Sequence, residues 1–336
     1  MAPKDLVKVL SKSGLIKPSE TAVRNMLDKH SRAMNTGGRG DNIMDLLLRA
    51  DEPDAATKVF VASMDGATVL MRDGKAQAGA AQASKQDEPS PSDYRVAMVG
   101  ALGCYDIEEV VDEKSRKRSL QPVRLSRDYF AQMPESGCAT FKSDFEFHCM
   151  ETTDKLPAGT RKLMLMDGAK WQWDYVAGDE QFDDYEKLLD YWHACGHLAT
   201  AAENLFGSDT EARRRWRKKW KSKLKNDAKA VPKLLRAMMW QLNKRPLGSK
   251  ASEQVRKEMA YFKNNAALMN YARFKRNGWP IGSGPVEAAC KTIVKQRLCC
   301  SGMRWTNQGG QAVLDIRSLI QAGRWESFWE HAQKTA

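Results

Sequence analysis

The chain has 336 residues, 42% of them hydrophobic, enough for a substantial core and, by length, for two domains. Lys and Arg number 54 against 42 Asp and Glu, a net charge of +12 that favours polyanionic partners, nucleic acid first. The seven cysteines form no CxxC pair, which argues against a zinc ribbon or disulfide framework, and no stretch reads as a signal peptide or membrane span; a reduced intracellular protein is expected.

Residues 1–50 read as helical, in two pieces. Leu6, Val7, Val9 and Leu10 form an apolar face, Gly14 interrupts it, and Ser19 can cap a second helix carrying Val23, Met26 and Leu27. The pair resembles part of a helix-turn-helix, and equally an ordinary helical hairpin. Asn35-Thr-Gly-Gly-Arg-Gly is a linker. From Thr57 the pattern changes. Lys58-Val-Phe-Val-Ala-Ser-Met-Asp-Gly predicts a buried strand ending at Asp65, then a tight turn and a second strand over 67–72. Residues 74–93, rich in Ala, Gln, Ser, Pro and Lys, predict a flexible loop, and Tyr94–Tyr105 a third strand. Three consecutive strands suggest an antiparallel meander. A mixed helical region near 126–150 then leads to Arg161-Lys-Leu-Met-Leu-Met-Asp-Gly, an apolar strand ending at Asp167.

Beyond it the chain turns helical. Asp183–Phe206 predicts a long amphipathic helix through Tyr185, Leu188, Leu189, Trp192 and His193. The segment Arg213–Lys225 holds nine basic residues, with Trp216 and Trp220 four apart. Further helices run to Tyr271, and a last helical segment spans Gln308–His331. Between them lies Trp279-Pro-Ile-Gly-Ser-Gly-Pro-Val-Glu-Ala-Ala-Cys-Lys-Thr, a glycine-proline turn that delivers Glu287 into the first turn of a helix. Pro285 suits a first helical position, and Gly282 and Gly284 let the backbone come close to another group. Lys291 and Lys295 follow Glu287 at i+4 and i+8 on one helical face.

Two strands thus end in Asp-Gly and one helix opens with Glu. Taken singly, Asp-Gly is a common turn and Glu287 complements a helix dipole. Together, three carboxylates on rigid elements can hold two Mg2+ or Mn2+ ions, hard cations that share phosphate oxygens with a substrate. The interval from Asp167 to Glu287 (287 − 167 = 120 residues) fits a helical domain inserted before the last acidic residue.

This order resembles that of the DDE transposases, and the motifs resemble those of the ISKra-type bacterial insertion-sequence transposases. The carrying residues are Ser63-Met-Asp65-Gly66, Met98-Val-Gly-Ala-Leu, Leu165-Met-Asp167-Gly168-Ala169 and Asp190-Tyr-Trp-His193. Most specific is Pro280-Ile-Gly-Ser-Gly-Pro-Val-Glu-Ala-Ala-Cys-Lys, continued by Gln296-Arg-Leu, Ser301-Gly-Met-Arg-Trp305 and Gly309-Gly-Gln-Ala. The resemblance spans residues 57–330. It implies an α/β fold: an RNase H-like mixed sheet flanked by helices, with an all-helical insertion and a small helical N-terminal segment. The implied divisions are 57–182 for the first part of the core, 183–278 for the insertion and 279–336 for the last part. Asp65, Asp167 and Glu287 take the roles of catalytic metal ligands, with His193 near the scissile phosphate. The implied partners are double-stranded DNA, at transposon ends and target, and further copies of the chain assembled on it. No membrane partner is implied, and the implied location is the bacterial cytoplasm, at the nucleoid. The alternatives are a catalytically silent DNA-binding derivative or complex component, and a structure-selective nuclease on the same fold.

For DNA contact the sequence offers Lys291, Lys295, Arg297 and Arg304, close to Glu287, and Arg213, Arg214, Arg217 and Lys218 of the basic run. His193 and His197 have a zinc-chelating spacing, but a buried, hydrogen-bonded His193 buttressing the site is the better reading. Trp171, Trp173, Trp192 and Trp240 are read as core, and Cys299-Cys300 as inert.

Overall fold

Residue alternation along one strand decides which side chains meet. A computed structural model describes residues 52–72, 93–113, 116–244 and 247–327. The helical reading of 1–50, almost all of the 74–93 loop and residues 328–331 of the helical segment expected over 308–331 lie outside the described residues. Strand β1 (Val59–Leu70) runs through the middle of the sheet. Successive side chains of a strand face opposite ways. Phe60, Ala62 and Met64 therefore share one face, packed with Phe130 and with Phe141, Phe145 and Cys149 of α1 (Ala139–Thr153). Val59 and Val61 face a helical region on the other side, and Ala67 and Val69 meet the C-terminal helices through Val286, Ile293 and Leu314. Asp65 falls in the odd-numbered set.

Strand β2 (Tyr94–Val111) lies antiparallel to β1, with Val59 opposite Tyr105 and Leu70 opposite Tyr94. Along its far edge run β3 (Arg118–Arg124) and β4 (Asp128–Gln132), both antiparallel to it. Between them the N–H groups of Leu125 and Ser126 both donate to the Cys104 carbonyl, at 2.8 and 3.4 Å. Two residues meeting one is a bulge, so β3 and β4 behave as halves of one kinked edge strand. On the other side of β1, β5 (Arg161–Met166) is parallel to it and β6 (Glu186–Leu189) is parallel to β5. The fold is α/β: a mixed six-stranded sheet in the order β3-β2-β1-β5-β6, with β4 also on β2, flanked by helices. An antiparallel trio followed by two parallel strands is the RNase H-like arrangement.

Four local expectations are corrected. Asp65-Gly66 is not a turn: β1 passes straight through it, with Asp65 opposite Val99 and Gly66 opposite Met98. Glycine suits this point because a Cβ there would stand 2.5 Å from Val96 Cγ1. The meander accordingly consists of β1, β2 and β3. The segment expected to be mixed helical from 126 begins as β4, whose Asp128, Tyr129, Phe130 and Ala131 are all buried, Phe130 against α1 and Tyr129 and Ala131 against the C-terminal helices. Finally, Glu186–Leu189 is a strand and not the start of a helix, because Leu188 and Leu189 complete a parallel pairing with Leu165 and Met166. Four residues, two charged and two apolar, carry no periodicity that separates these outcomes.

After α2 (Lys170–Ala177) and β6, the chain forms α3 (Tyr191–Phe206), α4 (Thr210–Asn226), α5 (Ala230–Lys244), α6 (Ser249–Asn264) and α7 (Tyr271–Arg276). Trp216, Trp220 and Leu224 form the buried stripe of α4 and leave its basic residues outside. The chain returns to the sheet with α8 (Gly284–Ala289), which runs through a π-helical stretch (Cys290–Lys295) into a last turn (Gln296–Leu298); α9 (Asn307–Ala322) follows. No described helix is long and apolar enough to cross a membrane.

Candidate active site

Three separate elements bring carboxylates to one cavity. Asp65 comes from the middle of β1, on its odd-numbered face. Asp167 comes directly after the last residue of β5. Glu287 comes from the first turn of α8, behind Pro285. With Met64, His193, Ser283, Val286, Cys290, Lys291, Lys295 and Gln296 they line an open cavity of about 700 Å3. Both ends of the lining are backed by regular structure, which fixes side-chain positions better than a loop can.

The local chemistry of each group differs. Asp65 Oδ1 accepts from the Gly66 N–H at 2.7 Å. Burial pushes its carboxyl above the usual range, the Asp167 charge adds to that, and Lys295 opposes it. Burial likewise raises Glu287, reinforced by the charges of Asp190 and Asp65. The Cys290 thiol, buried beside Asp65, is raised by burial and by that carboxylate. Asp167 Oδ1 accepts from the Ala169 N–H at 3.1 Å, and Trp173 Nε1 donates to the Asp167 carbonyl at 2.7 Å.

Asp190 organises the site without lining the cavity. It is fully buried. One carboxylate oxygen caps α3 by accepting from the His193 N–H, and the other accepts from the Ser283 N–H, each at 2.5 Å. Its own N–H donates to the Met166 carbonyl at 2.7 Å, and the Tyr191 N–H donates to Ile281 O at 3.0 Å. One residue thus ties the end of β5, the start of α3 and the turn before Glu287. The Asp-x-x-His spacing signals the cap; the partner 93 residues downstream has no signal in sequence. Ser283 Oγ then stands 3.5 Å from Glu287 Oε1.

The glycine-proline turn resolves accordingly. A Cβ on Gly282 would lie 2.8 Å from Trp192 Cδ1 and 3.7 Å from Asp190 Oδ2, so Gly282 admits Trp192 of α3. A Cβ on Gly284 meets nothing within 4 Å.

The remaining sequence-derived residues divide. Lys291 and Lys295 are exposed at the cavity despite the intervening π turn. Arg297 is half-buried over Trp305, 5.4 Å from guanidinium carbon to ring centre, and Arg304 is exposed; neither lines the cavity. The α4 residues Arg213, Arg214, Arg217 and Lys218 do not line it either, and Arg213 and Arg214 pair with Glu203 and Glu211. His193 is half-buried where a buried residue was expected, because it faces the cavity. Trp171, Trp192 and Trp240 are 40%, 53% and 55% exposed, which corrects their reading as core: each lies on a helix face turned outward.

Among the described residues, no group of three His, Cys, Asp or Glu side chains is gathered to hold a metal ion. The chemistry of the lining still fits a hard cation: its acidic donors are carboxylates, and two are raised by burial and by neighbouring carboxylate charge, Asp65 by Asp167 and Glu287 by Asp190 and Asp65. A cation held by these carboxylates would relieve that repulsion.

No family model matches the chain, and no curated protein matches it. Two solved structures are similar to it over most of its length. One is described as the Drosophila P element transposase strand transfer complex: 14% identity, 97% of this chain and 76% of that chain covered, TM-score 0.31. The other is described as the crystal structure of NurA: 11% identity, 94% and 64% covered, TM-score 0.14. Scores this low leave the fold to rest on strand order and the function on the site.

Proposed function

We propose that this chain is a DDE-type DNA transposase, of the ISKra type that its motifs resemble. It cleaves strands at transposon ends with bound divalent cations and joins the freed 3′-hydroxyl to target DNA. The observation that carries the reading is the meeting of Asp65, Asp167 and Glu287 in one cavity beside Lys291 and Lys295. The first two would hold both ions and Glu287 would complete the second site. When bound, the ions activate a water or hydroxyl and stabilise charge on the phosphoryl group in flight.

The chain's own residues do the rest. Lys291 and Lys295 supply cations at the cavity wall for non-bridging phosphate oxygens and the flanking DNA backbone. Asp190, through Ser283, holds the turn that presents Glu287 at a fixed distance from β1. His193, capped onto Asp190, stands at the cavity as a proton acceptor.

Asp65→Asn, Asp167→Asn and Glu287→Gln are each expected to lower Mg2+-dependent strand cleavage of end-sequence DNA by at least a factor of about 1000 while DNA affinity stays within a few-fold. Retained cleavage removes that residue from the set. Cleavage without strand-transfer products points to a structure-selective nuclease, and DNA binding without cleavage to a silent derivative.

A further inference from the structure

Helix α6 reaches back to the cavity through a relay of side chains that begins at Glu258. Glu258 of α6 is a carboxylate only 4% exposed. Its Oε2 stands 2.7 Å from His197 Nδ1, and its Oε1 accepts from Gln254 Nε2 at 2.7 Å. His197 Nε2 in turn stands 3.3 Å from His193 Nε2, and His193 lines the cavity. Tyr261, also of α6, stacks on the His197 ring at 3.5 Å between centres and 16° between planes. The same tyrosine covers Gly168, where a Cβ would meet its ring at 2.9 Å. The chain Glu258–His197–His193 is therefore clamped against the Asp167 turn.

Valence decides what this chain does. A carboxylate accepts only, so His197 Nδ1 must carry a proton. In the neutral ring His197 Nε2 is then bare, and it takes the Nε2–H of His193. That leaves Nδ1 of His193 as the bare nitrogen. We propose that Glu258 is a positioning residue: acting through His197, it fixes His193 in the Nε2–H tautomer and makes Nδ1 the proton acceptor at the cavity. The identity of the proton donor rests on the transposase reading; the tautomer does not. In that reading the attacking water or hydroxyl passes its proton to Nδ1 and keeps the O–H electron pair. His193 becomes an imidazolium, whose Nε2 proton is shared toward His197 beside the Glu258 carboxylate. The helical region thus supplies the counter-charge for a proton released beside Lys291 and Lys295.

Long-range 1H–15N spectra of the full chain, labelled at histidine, read both tautomers without any need for activity. The parent chain is expected to show His193 protonated at Nε2 and His197 at Nδ1. Glu258→Leu is expected to abolish both preferences while the amide spectrum of β5 and α3 is kept. A His193 protonated at Nδ1 in the parent, or unchanged in the variant, overturns the proposal. Glu258→Gln keeps an acceptor and removes the charge, so it guards against a folding defect. It should keep the tautomers and slow single-turnover cleavage about 10–100-fold at unchanged DNA affinity. A rate within twofold of the parent overturns the counter-charge role. A parent chain that cuts no DNA, yet shows the two tautomers, removes the transposase reading and leaves the positioning role standing.

Discussion

Asp190 carries more of the site's geometry than any residue that lines the cavity. Its two oxygens take the His193 and Ser283 N–H groups, and the carboxylate itself is fully buried. Removing the carboxylate strands both donors, and an unsatisfied buried donor costs more than the bond it replaced. Asp190→Ala is expected to destabilise the chain by about 2–4 kcal/mol, as the sum of a lost helix cap and a second orphaned N–H. Asp190→Asn, which keeps one acceptor oxygen, should lose less. Urea unfolding of the two variants checks this, and equal losses would show that acceptance at a single oxygen suffices.

At the scale of the element, β2 depends on close approach across the edge pairing. Gly100 lies opposite Phe130 of β4, and a Cβ there would fall 2.1–2.6 Å from the ring. The ring has little room to retreat, because its other face stacks on His148 at 4.1 Å and Phe141 stands 5.8 Å away. Gly100→Ala is expected to cost about 1–3 kcal/mol as overpacking, measured by thermal unfolding. An unchanged melting temperature would mean that β4 can shift on its bulge. The π-helical stretch after Glu287 has a different role. It adds a residue to one helical turn, yet Lys291 and Lys295 both remain at the cavity wall, while Ile293 and Val294 stay buried against the sheet.

Across the whole molecule, one buried charge cluster ties distant segments. Asp128 of β4 meets His148 of α1 at 3.3 Å and Arg324, just past α9, at 3.2 Å. Full burial by itself raises the Asp128 carboxyl, but His148, Arg324 and the Tyr129 N–H together hold it below the usual carboxylate range. A depressed folded-state value means stability that is present above the unfolded-state value and lost as pH falls through the folded one. Thermal unfolding between pH 7 and about pH 3 should therefore steepen on the acid side in the parent, and Asp128→Asn should flatten that limb. An acid limb that is the same in both chains would assign the loss to other carboxylates.

By itself the sequence determined where Asp167 and Glu287 stand in their elements and much of the frame. The buried run of β5 gave Asp167 its place after a strand, and Pro285 placed Glu287 in a first helical turn, because burial and capping are local signals. The tryptophan stripe of α4 was legible for the same reason. Tertiary structure decided the rest. Whether Asp65-Gly66 turns or continues depends on β2 lying alongside it for twelve residues of pairing. Whether Leu188-Leu189 begins a helix or ends a sheet depends on β5 being open to a parallel partner. The exposure of Trp192, the two-handed grip of Asp190 and the reach of Glu258 all join residues separated by scores of positions. Local propensity is silent about such contacts, since only the packed sheet brings their partners within range.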